Sequence, residues 1–111
     1  MQTDYMTSGT ELPPHIPYPR FLLTVNMKLI TKVVYAVILD AAMRSQTWGK
    51  HGRHYAALSV DDIARIIDRT PATVRNALNE LEGAGLVKRM PTSYKAPDHI
   101  FVKLPSGEGT K

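Results

Sequence analysis

The stretch "IDRTPATVRNALNELEGAGLVKRM", from Ile67 to Met90, decides the fold. Thr70 is an N-cap residue type, and Pro71 follows at the first helical position, where a missing N–H costs nothing. Val74, Ala77, Leu78 and Leu81 recur at i, i+3, i+4 and i+7, so they share one face of a helix over about 71–84. Gly85 stands where a left-handed C′ residue is wanted, and Leu86 can fold back onto the helix it follows. On the opposite side, at about 100° per residue, lie Ala72, Arg75, Asn76 and Asn79. Nothing apolar larger than alanine interrupts that face.

Working upstream, Ser59 begins "SVDDIARIID" as an N-cap, with Asp61 and Asp62 in the first turn, where the helix dipole favours them. Val60, Ile63, Ile66 and Ile67 then give the stripe of a short amphipathic helix. Only "DRT" separates the two helices, which is a helix-turn-helix spacing. Downstream, "LVKRM" is strand-like, "PTSYKAPDH" is a turn-rich loop and "IFVKL" alternates as a second strand. Helix, helix, strand, loop, strand is the order of a winged helix-turn-helix. The expected class is therefore α+β, mainly α, with a small antiparallel sheet and a wing over about 88–98. Before the helix pair, "WGKHGRHYAALS" (48–59) predicts a hairpin-like loop and a short strand through Tyr55 and Leu58.

Further toward the N-terminus, "RFLLTVNMKLITKVVYAVILDAAMRSQ" is the most apolar part of the chain. Arg20–Thr24 suits a short turn. Thr31 is a possible cap for a helix to about Ser45, with Asp40 and Arg44 spaced i, i+4. Val34, Val37, Ile38 and Ala41 make one stripe; Tyr35, Leu39, Ala42 and Met43 make another. Such a helix must be buried on more than one side, as a central helix or one shared with a second subunit. Residues 1–17 include most of "ELPPHIPYP" and read as an extended arm. Residues 18–104 form the domain, and 105–111 a flexible tail.

The totals suit one domain. At 111 residues the chain buries about 60–70% of its unfolded surface, and 43% of its residues are hydrophobic, with a mean hydropathy of −0.20. No apolar run approaches the roughly 18 residues of a membrane span, and the N-terminus has no leader pattern. With no cysteine to form disulfides or thiolate zinc sites, a cytoplasmic protein is expected. The net charge of +4 is unevenly spread. Residues 59–86 hold three Lys/Arg against five Asp/Glu, while 1–58 hold six against three and 87–111 five against two. The basic charge thus flanks the helix pair.

This arrangement gives the polar face a use. A major groove admits a helix, and Arg75, Asn76 and Asn79 are types that read guanine and adenine edges. Thr70, Ala72 and Thr73 lie at the helix N-terminus, where hydroxyls and N–H groups can meet a phosphate; Arg69 in the turn is a further phosphate contact. Lys88, Arg89 and Lys95 on or near the wing would neutralise backbone charge, and Tyr94 can pack against a sugar-phosphate edge. Trp48 and Tyr55 read as core or dimer contacts. Other constellations fail. His51 and His54 are spaced wrongly for a helical ligand pair and no donor completes a metal set; Asp61 and Asp62 diverge as neighbours on a helix. Ser59 lacks a nucleophile elbow, and "EGAG" ends a helix instead of starting one. No enzyme activity, cofactor or metal is expected.

Taken together, "TKVVYAVILDAAMRSQ", "ALSVDDIARIIDRTPATVRNALNELEGAGLVKR" and "HIFVKL" resemble the N-terminal domain of the RepA-type plasmid replication initiators of Gram-positive bacteria. The resemblance covers about residues 18–104. It implies a cytoplasmic winged-helix domain on a plasmid or integrated element, binding double-stranded DNA repeats at a replication origin as a homodimer. Such initiators continue into a C-terminal region, absent here, through which replication proteins would be partners. Pro71 and Ala72 stand where longer polar side chains would read more bases. A transcriptional regulator of the same fold, or a protein–protein module using the same surface, would show much the same residues.

Overall fold

A computed structural model describes residues 1–45, 52–92 and 96–105. A 3-10 turn at Arg20–Leu23 precedes α1 (Leu29–Ser45), β1 (Tyr55–Ala57), α2 (Val60–Ile67), α3 (Pro71–Gly83), β2 (Val87–Met90) and β3 (His99–Val102). The strands form one antiparallel sheet in the order β1-β3-β2, so the last strand lies in the middle. Three helices with this sheet are a winged helix-turn-helix.

Residues Val34 to Ile38 of α1 are all buried. Five consecutive helical positions span more than a full turn, so α1 is enclosed on every side there, and one chain suffices to enclose it. The main core cluster joins Leu22, Val34, Tyr35, Ile38 and Ala42 to Ile63, Val74, Leu78, Leu81, Leu86, Val87 and Ile100. The extended N-terminal segment runs past another side, where Leu12–Ile16 line a cleft with Asp40 and Arg44. Asp40 and Arg44 form the i, i+4 pair at 2.8 Å.

Thr31 does not cap α1. The helix begins two residues earlier, the Lys28 carbonyl accepts the Lys32 N–H at 3.2 Å, and Thr31 is buried. Its hydroxyl donates to Glu80 Oε1 at 2.6 Å, tying α1 to α3. Tyr35 likewise crosses the core. Its ring meets Phe21 edge-on at 5.6 Å and its hydroxyl donates to the Lys103 carbonyl at 2.9 Å. Burial pushes that phenol up to about 12, so it stays protonated and remains a donor.

The two short helices form where local signals place them. Ser59 and Asp62 make a reciprocal capping box, each side chain accepting the other's backbone N–H at 3.0 Å. These bonds, the backbone one foremost, hold the Asp62 carboxyl below its usual range, with help from Arg65 at 2.8 Å. Between α2 and α3, Asp68 adopts the left-handed conformation at φ 58°, a role that asparagine, aspartate and glycine can fill. Both Asp68 and Arg69 then donate to the Ala64 carbonyl, which turns the chain sharply into Thr70.

At the far end of α3, Gly85 has φ +79°. Its N–H bonds to Glu82 O and that of Leu86 to Leu81 O, both at 3.0 Å, which is a Schellman motif. Leu86 is thereby returned to the core at 7% exposure. An L side chain at Gly85 would carry the left-handed penalty of about 1–2 kcal/mol. By contrast, Gly83 is helical, and a Cβ there meets nothing within 4 Å. Urea unfolding should show Gly85→Ala losing about 1 kcal/mol and Gly83→Ala gaining about 0.4–1 kcal/mol.

Candidate nucleic-acid interface

Helix α3 is held by its apolar side. Val74, Ala77, Leu78 and Leu81 are each no more than 2% exposed, whereas Ala72, Arg75, Asn76 and Asn79 are exposed on the other side. Thr70 caps the helix, accepting the Thr73 N–H at 3.2 Å, and the two hydroxyls lie 3.0 Å apart. Pro71 occupies the first turn. Thr73 is half-buried, while Thr70 and Arg69 are exposed, with Arg69 Nη1 donating to the Asp68 carbonyl at 3.0 Å. The structure therefore gathers Arg69, Thr70, Ala72, Thr73, Arg75, Asn76 and Asn79 along the turn and one continuous helix face.

Beside this face runs the β2–β3 hairpin, in register Val87↔Val102, Lys88↔Phe101, Arg89↔Ile100 and Met90↔His99. Alternation along β2 buries Val87 and exposes Lys88. Arg89 follows Val87 onto the side facing α3. Its Nη2 and Nε donate to Glu82 Oε1 at 2.7 and 3.1 Å, its backbone N–H donates to Glu82 Oε2 at 3.1 Å, and Nη2 also donates to Asn79 Oδ1 at 2.9 Å. The guanidinium is thus engaged by α3, whereas Lys88 is exposed. Farther out, Thr92 closes the hairpin by donating to the Pro97 carbonyl at 3.0 Å. The expected contacts Tyr94 and Lys95 lie outside the described residues, as do Trp48 and His51. Tyr55 stacks on His99 at 3.9 Å within the sheet.

Both carboxylates of α3 have partners at the edges of the polar face. Glu82 belongs to Arg89, and Glu80 accepts the Thr31 hydroxyl. One cation that local sequence reading missed stands nearby. Lys28 is exposed and lines a cleft with Thr31, Thr73, Asn76 and Glu80. It lies more than forty positions before Asn76 in the chain, so no motif spacing could connect them. The α1–α3 crossing brings them together, giving the face a cation on the side away from the wing. Among the described residues, no group of three His, Asp or Glu side chains is placed to hold a metal, and no helix is long and apolar enough to cross a membrane.

Residues 53–98 match the model of a DeoR-like helix-turn-helix domain. No curated protein sequence matches. Among solved structures, the N-terminal domain of a DNA-binding protein is similar at a TM-score of 0.70 and 19% identity, covering 96% of this chain and 88% of that one. A Rep protein solved in complex with DNA is similar at 0.70 and 17%, covering 86% and 78%. An MDR initiator is similar at 0.68 and 18%, covering 86% and 80%. At these identities the likeness establishes a shared fold.

The Arg89 hydrogen bonds hold the Glu82 carboxyl below its ordinary value of 4.5. A depressed carboxyl stabilises the fold above its unfolded value, and that contribution is lost as pH falls through the folded one. The side chains of this pair remain 24% and 32% exposed, so solvent screening limits the pair to about 1 kcal/mol or less. Denaturant unfolding of wild type and Glu82→Gln should therefore differ above pH 4.5 and converge as pH falls from there through the lower folded value. A gap independent of pH would show that the carboxylate charge contributes nothing.

Proposed function

We propose that this domain binds duplex DNA sequence-specifically, as the winged-helix domain of a plasmid or mobile-element replication initiator of the RepA type. Helix α3 enters the major groove, Lys88 and the 88–98 hairpin follow the backbone, and the protein works by binding in the cytoplasm without catalysis. One observation carries the reading. The exposed row Arg75, Asn76 and Asn79 offers a cation and hydrogen-bonding amides on a helix where Glu82 is ion-paired with Arg89 and Glu80, bonded to Thr31, shares the edge of the face with Lys28. The DeoR-like match, the Rep–DNA complex and the MDR initiator support it by analogy.

In this arrangement Arg75 is the best reader of a base edge, being forked, cationic and mid-face. Lys28 and Lys88 flank α3 and contact phosphates from opposite sides. Arg69, Thr70, Ala72 and Thr73 meet the backbone at the helix N-terminus, and Tyr94 and Lys95 extend the wing contact. We further infer a homodimer. Its support is the apolar surface on and near the N-terminal segment, where Tyr5, Leu12, Ile16 and Tyr18 are exposed. A C-terminal continuation that recruits replication proteins would complete an initiator.

The first test is retention of sheared DNA from the source organism, plasmids included, on immobilised protein at about 150 mM salt. Enrichment of clustered repeats in or beside the protein's own gene supports an initiator. Scattered promoters would instead indicate a transcriptional regulator, and no enrichment together with salt-insensitive capture of a protein would sink the DNA reading. On the enriched site, Arg75→Ala should cost about 1–3 kcal/mol and relax preference at one base pair. Lys28→Ala and Lys88→Ala should each weaken all sequences alike and shallow a salt slope of about −4 to −5 by about one. Sedimentation of the full chain with and without DNA should show a dimer; monomer alone at high concentration would rule that out.

A further inference from the structure

Among the described residues, Asn79 is the one member of the polar face whose side chain is held by another element. An asparagine amide carries an acceptor at one end and donors at the other, and the two ends have nearly the same shape. Left alone on a helix surface, it can turn either end toward a base. It then accepts from a donor edge or donates to an acceptor edge, and discriminates poorly. Here Arg89 Nη2 lies 2.9 Å from Asn79 Oδ1. Arginine has five donors and no acceptor, so only the oxygen end of the amide can face it. The flipped amide would set donor against donor.

Arg89 is itself fixed. Its Nε and Nη2 fork onto Glu82 Oε1, and its own backbone N–H is bonded to Glu82 Oε2. With side chain and backbone tied to one carboxylate, the guanidinium has little freedom to swing out toward a phosphate. The chain Glu82–Arg89–Asn79 therefore links the rigid β2 strand to an exposed side chain on α3.

Resting on the DNA-binding reading above, we infer that Arg89 is a positioning residue for specificity: it holds the Asn79 amide in one of its two orientations and so sets which base edge Asn79 reads. Arg89 acts on sequence preference at one base pair, and not as a backbone cation. Glu82 acts one step behind it, which gives an acidic residue a constructive part in binding a polyanion.

The test is selection of binding sites from a randomised duplex pool, followed by salt titration on the selected site. The double variant Glu82→Gln/Arg89→Met removes the fork and keeps the net charge of the surface unchanged, so general electrostatic attraction is held constant. It should lose preference at the same base pair as Asn79→Ala, by roughly three- to tenfold, as expected for one hydrogen bond of about 1 kcal/mol. Preferences elsewhere and the salt slope should persist, and adding Asn79→Ala to the double variant should cost little more. Arg89→Lys keeps the charge but cannot fork between two partners, so it should also blur that base pair with the slope intact, which provides the test if the double variant fails to fold. A slope shallower by about one with uniform loss across sequences would make Arg89 a phosphate ligand and overturn the inference. Unchanged base preference in both variants would overturn it too. Wild type selecting no sequence at all is the distinct failure of the DNA-binding reading, and the inference falls with it.

Discussion

Everything on the exposed face depends on α3 being held from both flanks by its own acidic residues. Glu80 takes the hydroxyl of Thr31 from α1, and Glu82 takes the guanidinium and backbone N–H of Arg89 from β2. Below these ties the apolar stripe Val74, Ala77, Leu78 and Leu81 is packed nearly out of solvent. A helix fixed by a stripe alone can still roll by a fraction of a turn at modest cost, because dispersion contacts are individually weak and weakly directional. Hydrogen bonds to charged groups at two edges are directional and resist that roll. The orientation of the Arg75–Asn76–Asn79 row is thus set by residues that lie off the row.

The same logic links the wing to the core. Strand β3 is the middle strand, paired with β1 on one side and β2 on the other. The hydroxyl of Tyr35, near the middle of α1, donates to the Lys103 carbonyl just beyond β3, and the Lys103 N–H donates to Leu86 O just before β2. The hairpin therefore rests on the central helix at its base, while Thr92 ties the strands together farther out. Lys88 on one side of α3 and Lys28 on the other are placed by this scaffold and not by neighbours in sequence.

How much of this the sequence disclosed follows from the range of each interaction. The helix pair was legible almost to the residue, since the Ser59 and Thr70 caps, Pro71 and the Gly85–Leu86 motif act within five positions of one another, although the reciprocal bond from Asp62 to Ser59 appears only in the structure. The polar face was legible for the same reason, because a helical period needs no tertiary information. Thr31 was misread: a threonine before an apolar run is ordinarily a cap, and only the crossing of α1 over α3 shows that its hydroxyl has a partner 49 residues away. Arg89 was expected on the backbone because a basic residue in a wing commonly serves there. Its partner Glu82 is only seven residues distant, yet the pairing depends on the Schellman turn reversing the chain and on which side of β2 the residue falls. Lys28 had no local signature at all.

Charge balance is where composition and placement diverge most. Residues 59–86 hold more acidic than basic side chains, which taken as a sum argues against a polyanionic partner for the helix pair. The structure distributes those charges unequally. Asp62 is bonded in the capping box and to Arg65, Glu82 to Arg89 and Glu80 to Thr31; Asp61 and Asp68 are exposed on α2 and in the turn, while Arg75 stands exposed among the neutral amides of α3. A ligand approaching α3 meets the potential of the groups nearest its path, screened over about 8–10 Å by salt, and not the average of the segment. Acidic residues that build a helix and anchor its flanks therefore need not oppose what its open face binds, and here they position it.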